Sequence, residues 1–502
     1  MRRIKYVVIS LLALLLLACQ DKPLNNPHKQ GLAAKKVFFS SFSEQPKTLD
    51  PARSYSVNEA IFTGQIYEPP LQYHYLKEPY ELVPLTAASM PTPKFYDANK
   101  QLLPDNADES KIAYSVYRIT IKPNIYYQPH PAFAKDEKGK YWYHQLTPKQ
   151  VNRYNKLADF RHTATRELTA ADYVYQIKRL AHPSVQSPIF GLLGHYILGL
   201  HDYAKQLQAA QTKTNKQTFF DLRDYPFVGA KALDRYTYQI TLKGHYPQFV
   251  YWLAMPFFAP IPWEADKFYS QPGMRKNNIT FDWYPIGTGA YMLTENNPNK
   301  QMIMQRNPNF HAEFYPTSGS DKDKKHGLLK SAGKRLPFID SYVFSLEKES
   351  IPRWNKFLQG YYDQSGIGSD QFDQAINLDV QGQAELSQAM QAKQIHLNTS
   401  VTAGVFFLGF NMLDPVIGGN SERARKLRQA ISIAINYEEF IAIFLNGRGI
   451  IAQSPIPPDI FGYRTGRAGM NPYVYDWING KIVKKPLSTA KKLLRQAGFP
   501  NG

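Results

Sequence analysis

Residues 404–463 hold the feature that most constrains the fold: a short apolar run, a glycine turn and two helical patterns in immediate succession, closed by a proline-rich segment. Val405, Phe406, Phe407 and Leu408 are flanked by glycines and have the length and aromatic content of a buried strand, which polar Asn411 ends. After Gly418 and Gly419, the residues Leu427, Ala430, Ile431, Ala434 and Ile435 recur at three- and four-residue spacing. Arg423, Lys426 and Arg428 fall between them, so the pattern predicts a helix with one buried face. Asn436 and Glu439 have the spacing of a capping box for a second helix, which Asn446-Gly447 stops. Gly447-Arg448-Gly449 and Ser454-Pro455-Ile456-Pro457-Pro458 then force irregular surface chain.

With 502 residues the polypeptide exceeds one ordinary hydrophobic core, so two or more domains are expected. Its one cysteine, Cys19, excludes internal disulfides and cysteine-based zinc cages. Lys and Arg (60) outnumber Asp and Glu (41) for a formal charge of +19, and the chain stays basic when Arg2, Arg3 and Lys5 are set aside. The cations are scattered and no nucleic-acid motif accompanies them, so solvated surface charge is expected and nucleic-acid binding is not. The 34 tyrosines serve cores and ligand clefts equally well.

Met1 to Cys19 reads as a targeting segment: a positive start in MRRIKYVVIS, the apolar run LLALLLL, and the small residue Ala18 before Cys19. The apolar part is too short to span a bilayer in a mature protein. The arrangement resembles a bacterial lipoprotein signal. That resemblance implies removal of residues 1–18, acylation of Cys19 and a polar tether over 19–35, with the product lipid-anchored on the periplasmic side of the cell envelope.

Further along, VFFSSF at 37–42 is β-prone, and Gln45-Pro46-Lys47-Thr48-Leu49-Asp50-Pro51 is a turn. Tyr114 to Lys122 and Tyr236 to Leu242 alternate as half-buried strands do. Thr169 is placed to cap a helix through Val174, Ile177 and Leu180, and Ser488 one through Ala490, Leu493 and Leu494. Gly287-Thr288-Gly289-Ala290-Tyr291 lacks the third glycine of a dinucleotide fingerprint, and reads instead as a crossing where small residues let backbones approach.

The marks Thr48-Leu49-Asp50-Pro51, Leu168-Thr169-Ala170-Ala171-Asp172-Tyr173, Gly287-Thr288-Gly289-Ala290-Tyr291, Arg306-Asn307-Pro308-Asn309-Phe310, Leu336-Pro337-Phe338-Ile339-Asp340, Phe410-Asn411-Met412 and RQAISIAIN occur in an order that resembles the family 5 extracellular solute-binding proteins, the peptide-type receptors of ABC importers. The resemblance covers residues 37–502. It implies an α/β, two-lobed periplasmic-binding-protein fold with an extra domain inserted in the first lobe. The segments fall as a first lobe over 36–72 and 227–305, an inserted smaller domain over 73–226, and a third lobe over 306–502, incomplete at its end when set beside the family. A long polar stretch over 128–166 departs from the family pattern.

The same resemblance implies a monomeric receptor that takes a peptide or other small solute between its lobes and delivers it to permease and ATPase subunits at the membrane. Strand addition is the physical logic, since main-chain hydrogen bonds give affinity without choosing a sequence. Tyr55, Ser56 and Val57 are the expected contacts from the first lobe, with Phe410, Asn411 and Met412 from the third. By residue type alone, residues 55–57 are equally a surface strand, and Asn411 equally a residue satisfying backbone at a strand end. Arg448 has two readings, partner of a ligand carboxylate or charged surface turn.

No H-E-x-x-H array, G-x-S-x-G elbow or close histidine pair is present, so no catalytic residue, metal site or cofactor is assigned. Two other functions fit the residues: the same fold binding a sugar, metal chelate or other non-peptide, and a lipid-anchored envelope hydrolase using a carboxylate pair.

Overall fold

The computed structural model describes residues 36–501 apart from 79, 214–218 and 379–383, so the targeting segment, Cys19 and the tether lie outside the described residues. The chain divides into two compact units, the first running to Leu76 and over Leu82–Gly366, the second comprising Lys77–Glu81 and Ile367–Gly502. Along the chain the first unit contributes strands β1 (Val37–Phe42), β2 (Pro93–Tyr96), β3 (Tyr114–Thr120), β4 (Ala230–Ala232), β5 (Thr237–Lys243), β6 (Tyr291–Asn297), β7 (Gln301–Arg306) and β8 (Ser341–Leu346). Its helices α1 (Val57–Ile66) and α2 (Ala170–Leu180) matter most here.

Two four-stranded sheets organise this unit. In the order β1-β8-β7-β6, β1 runs parallel to β8 with Val37 opposite Ser341, and the remaining pairs are antiparallel. Phe42, Phe62 of α1 and Phe344 meet edge to face beneath this sheet, at centroid distances of 5.8 and 5.2 Å, together with buried Met302 and Met304. The second sheet has the order β2-β3-β5-β4, with Tyr114 opposite Lys243. The alternation read from the sequence is realised: Ser115, Tyr117 and Ile119 of β3 and Tyr238, Ile240 and Leu242 of β5 are buried.

Helix α2 packs on the second sheet through Tyr173, whose ring stacks on Tyr238 at 5.0 Å. Its start is fixed from the third helical position, because the Asp172 carboxylate accepts hydrogen bonds from the Thr169 N–H (2.9 Å) and hydroxyl (3.2 Å). The second sheet takes in Ala230–Ala232 and Thr237–Lys243, past residue 226, where the sequence reading closed the inserted domain. Likewise β8 pairs with β1, so residues 306–346 belong to the first unit, whereas the sequence reading began the third lobe at 306. Strand pairing between distant segments decides such boundaries, and the local pattern does not carry it.

Helices α3 (Glu422–Ala434), α4 (Tyr437–Leu445) and α5 (Leu487–Gln496) and the hairpin β9 (Tyr475–Ile478) to β10 (Lys481–Lys484) make up much of the second unit. Ala424, Leu427, Ala430 and Ile433 form the buried stripe of α3, so Ile433 takes the place expected for Ile431. Ala430 and Ile433 cluster with Val474, Tyr475 and Ala490. Asn436 caps α4 through the Glu439 N–H at 3.2 Å, as its spacing predicts, and Asn446 ends it in the left-handed region with φ 51°. Helix α5 starts behind Pro486, not at Ser488. Residues 405–408 form no strand: Phe406 is 98% and Phe407 84% exposed. An isolated apolar run has no ladder to join without a neighbouring strand, and the second unit places none beside it among the described residues.

Candidate ligand-binding segments

The turn Thr48-Leu49-Asp50-Pro51 is pinned from several directions. Asp50 pairs with Arg179 of α2 through two hydrogen bonds (3.0 and 2.7 Å), both groups buried, and the Phe281 ring lies 4.5 Å from that guanidinium. Asp50 also accepts the Ala52 N–H at 3.0 Å, and the Thr48 hydroxyl donates to Asp282, which pairs with Arg53 at 2.9 Å. The Tyr67 hydroxyl donates to the Leu49 carbonyl at 3.1 Å. Chain leaving such a turn has little freedom.

Tyr55, Ser56 and Val57 follow it and stand in solvent, Tyr55 75% and Val57 82% exposed. They form no strand. Ser56 is the N-cap of α1, and Glu59 closes a full capping box: its carboxylate accepts the N–H groups of Tyr55 (2.8 Å) and Ser56 (3.0 Å) and the Ser54 hydroxyl (3.2 Å), while the Glu59 N–H donates to Ser56 Oγ (3.3 Å). Burial works against the Glu59 charge, and the hydrogen bonds from Ser56, Tyr55 and Ser54 outweigh it, holding the carboxyl below its ordinary value. Two of the three main-chain donors that strand addition would use are thereby occupied. Val57 begins α1, where the first amides have no helical carbonyl to meet. Glu59 was missed as a site determinant, although the spacing Ser56-x-x-Glu59 is a visible capping-box signal.

The second expected segment lies in the other unit. Asn411 turns its side chain back on its own backbone, with Oδ1 accepting the Leu413 N–H at 3.1 Å. The Asp414 N–H donates to the Asn411 carbonyl at 3.1 Å, and the Gly419 N–H to the Met412 carbonyl at 2.9 Å. A Cβ at Gly418 would sit 2.5 Å from the Met412 carbonyl oxygen, which explains the glycine there. Arg428 of α3 donates to the Ile417 carbonyl, tying the whole turn to the helix. Asn411 and Met412 are exposed and Phe410 is half-buried. Tyr55–Val57 are therefore together on the first unit, and Phe410–Met412 together on the second.

Arg448 is spent on structure. It donates to the carbonyls of Leu445 (2.9 Å) and Ile367 (2.7 Å) and lies 5.0 Å from the Phe372 ring. The remaining sequence marks also prove to be scaffold. Gly287 and Gly289 run against the end of α1 so closely that a Cβ on Gly287 would lie 1.9 Å from the Ile66 carbonyl oxygen, and the Gly289 N–H donates to that oxygen at 2.9 Å. Asn307 is buried and straps the next turn to this crossing through the carbonyls of Gly289 and Ala290. Arg306 pairs with Asp340 at 2.9 Å. Glu68, from Tyr67-Glu68-Pro69, holds His311 Nε2 at 2.8 Å; burial opposes the imidazolium, and Glu68, with Glu313, raises its pKa above the ordinary value nonetheless. No helix among the described residues is long and apolar enough to cross a membrane.

Mixed sheets and helices in this arrangement are shared with two-lobed periplasmic peptide-binding proteins of solved structure. The murein tripeptide binding protein MppA of Escherichia coli aligns over 92% of this chain and 67% of its own, with a TM-score of 0.55 at 16% identity. Among curated relatives, the periplasmic oligopeptide-binding protein OppA of Salmonella typhimurium is 28% identical over 143 residues, 28% of this chain and 23% of that protein. The dipeptide-binding protein of Escherichia coli is 23% identical over 342 residues, 67% of this chain. The chain spans about half the length of the latter, 49%. The model described as bacterial extracellular solute-binding proteins, family 5, middle region, matches residues 162–502. The chain belongs to the family 5 bacterial extracellular solute-binding proteins.

Proposed function

We propose that this protein is the receptor of an ABC importer that captures peptides and passes them to a membrane permease with its ATPase subunits, using Tyr55–Val57 and Phe410–Met412 as contact segments. It carries no catalytic step. In this reading Cys19 is acylated and holds a monomer on the periplasmic face of the envelope. The observation that carries the reading is the first segment: exposed main chain delivered by a turn that buried Asp50 and Arg179 make rigid, which suits ligands recognised through their backbone. Because Glu59 already holds two N–H groups there, the Tyr55 carbonyl and the first amides of α1 are the groups assigned to the ligand. The peptide-binding relatives support this choice of ligand.

Equilibrium binding to a peptide mixture, with recovered ligands identified by mass, tests it. Peptides of mixed sequence should be recovered; recovery of only sugars, chelates or other non-peptides would replace the peptide with another solute. Peptides returned cleaved after long incubation would favour a hydrolase instead.

A further inference from the structure

The polar stretch over 128–166 carries eight Lys and Arg against three Asp and Glu, and the function proposed above uses none of them. The fold gathers part of this charge onto one face. A short helix, Pro148–Val151, and the chain after it are clamped to the segment 273–279 by Asn277, whose Nδ2 donates to the carbonyls of Val151 (3.3 Å) and Tyr154 (2.9 Å). The backbone that carries Lys149 and Arg153 thereby packs against the segment that carries Arg275 and Lys276. Tyr154 stacks on Phe160 at 3.9 Å, which brings Arg161 to the same place. Arg153 and Arg161 both act on the Tyr154 phenol, against the rise that burial and Tyr143 give it. All five cations are exposed, and among the described residues none is paired with a carboxylate. The nearby acid, Asp159, accepts the N–H groups of Asn155 (2.8 Å) and Lys156 (3.1 Å).

Next to Arg161, the His162 ring lies flat against Trp142 at 4.5 Å and 5°, leaving that indole 47% exposed. Unpaired cations beside a propped, half-exposed indole make the chemistry of a membrane interface, where Lys and Arg meet lipid phosphates and Trp sits at headgroup depth. A soluble anion would be better served by a concave site with inward-facing donors. We propose that this face, Lys149, Arg153, Arg161, Arg275 and Lys276 with Trp142, rests on a bilayer of anionic phospholipid. The choice of a lipid partner rests in part on the envelope-anchor reading of Cys19, which would keep the face near such a surface.

Partition of the full chain between buffer and vesicles tests the proposal, comparing pure phosphatidylcholine with equal parts phosphatidylcholine and phosphatidylglycerol. A leader or acyl chain adds to both, so the ratio reads the basic face, and mass analysis of Cys19 decides the anchor separately. At low salt the ratio should be about tenfold or more, and it should fall towards one as salt shortens the screening length to a few ångströms. The combined variant Lys149→Gln, Arg153→Gln, Arg275→Gln, Lys276→Gln should reduce the ratio at least about fivefold. Its charge-conserving counterpart, Lys149→Arg, Arg153→Lys, Arg275→Lys, Lys276→Arg, should keep it, which separates loss of charge from misfolding. Trp142→Ala should weaken binding to both vesicles. Equal partition onto both, a ratio untouched by the glutamine variant, or displacement by millimolar inorganic phosphate would overturn the proposal.

Discussion

The Glu59 carboxylate collects the N–H groups of Tyr55 and Ser56 and the Ser54 hydroxyl, so Glu59→Ala strips the cap from α1 and frees the segment proposed to touch ligand. A loss of about 2 kcal/mol in urea denaturation is expected, with peptide affinity falling in parallel. Because the carboxyl is held below its ordinary value of 4.5, its contribution is present above that pH and disappears as pH falls through the lowered value. The gap between wild type and variant should therefore close in acid. His311 has the opposite sign. Its pKa is raised above 6.5 by Glu68, so the pair stabilises the fold fully below that pH and loses its effect as pH rises through the folded value. A His311→Gln variant should show its largest deficit in mildly acidic urea melts and a shrinking one in alkaline buffer. At this scale the Ser56-x-x-Glu59 spacing is a local signal in the sequence, while Asn411, read as the end of a strand, is part of a turn instead. The partners of Asp50 and Glu68 were not, since Arg179 and His311 lie far away along the chain.

Where α1 ends, Gly287 and Gly289 let a second backbone pass at van der Waals limit. Gly287→Ala puts a methyl group into the Ile66 carbonyl, and neither partner is a side chain that can swing aside. Loss of about 3 kcal/mol or more, or failure to accumulate folded protein, is expected in the same urea assay. Arg448 joins the end of α4 to residues 367–372, and Arg448→Ala should raise amide exchange in that stretch while leaving protection in α3 and α5 unchanged. The helix starts of α2 and α4 and the strand alternation of β3 and β5 carried over from sequence to structure, because these are local consequences of backbone geometry. Residues 405–408 did not, because a strand exists only where another strand accepts it.

If peptides are the ligand, adding one at a hundred times its dissociation constant should stabilise the protein by about 2.7 kcal/mol, read as a rise in melting temperature that a non-binding sugar does not give. Family membership and the mixed α/β class were legible in the order of short motifs, since each motif is a local requirement: a glycine where backbones touch, a cap where a helix starts, an asparagine where a turn must be strapped. Tertiary structure alone decided that β5 lies between β3 and β4, that β8 lies beside β1, that Arg448 is tied to the Ile367 carbonyl, and that the chain around Val151 and Tyr154 is strapped to Asn277. Each of those depends on residues distant in sequence meeting in space, and the chain's local patterns fix what each segment can become while long-range pairing fixes what it meets.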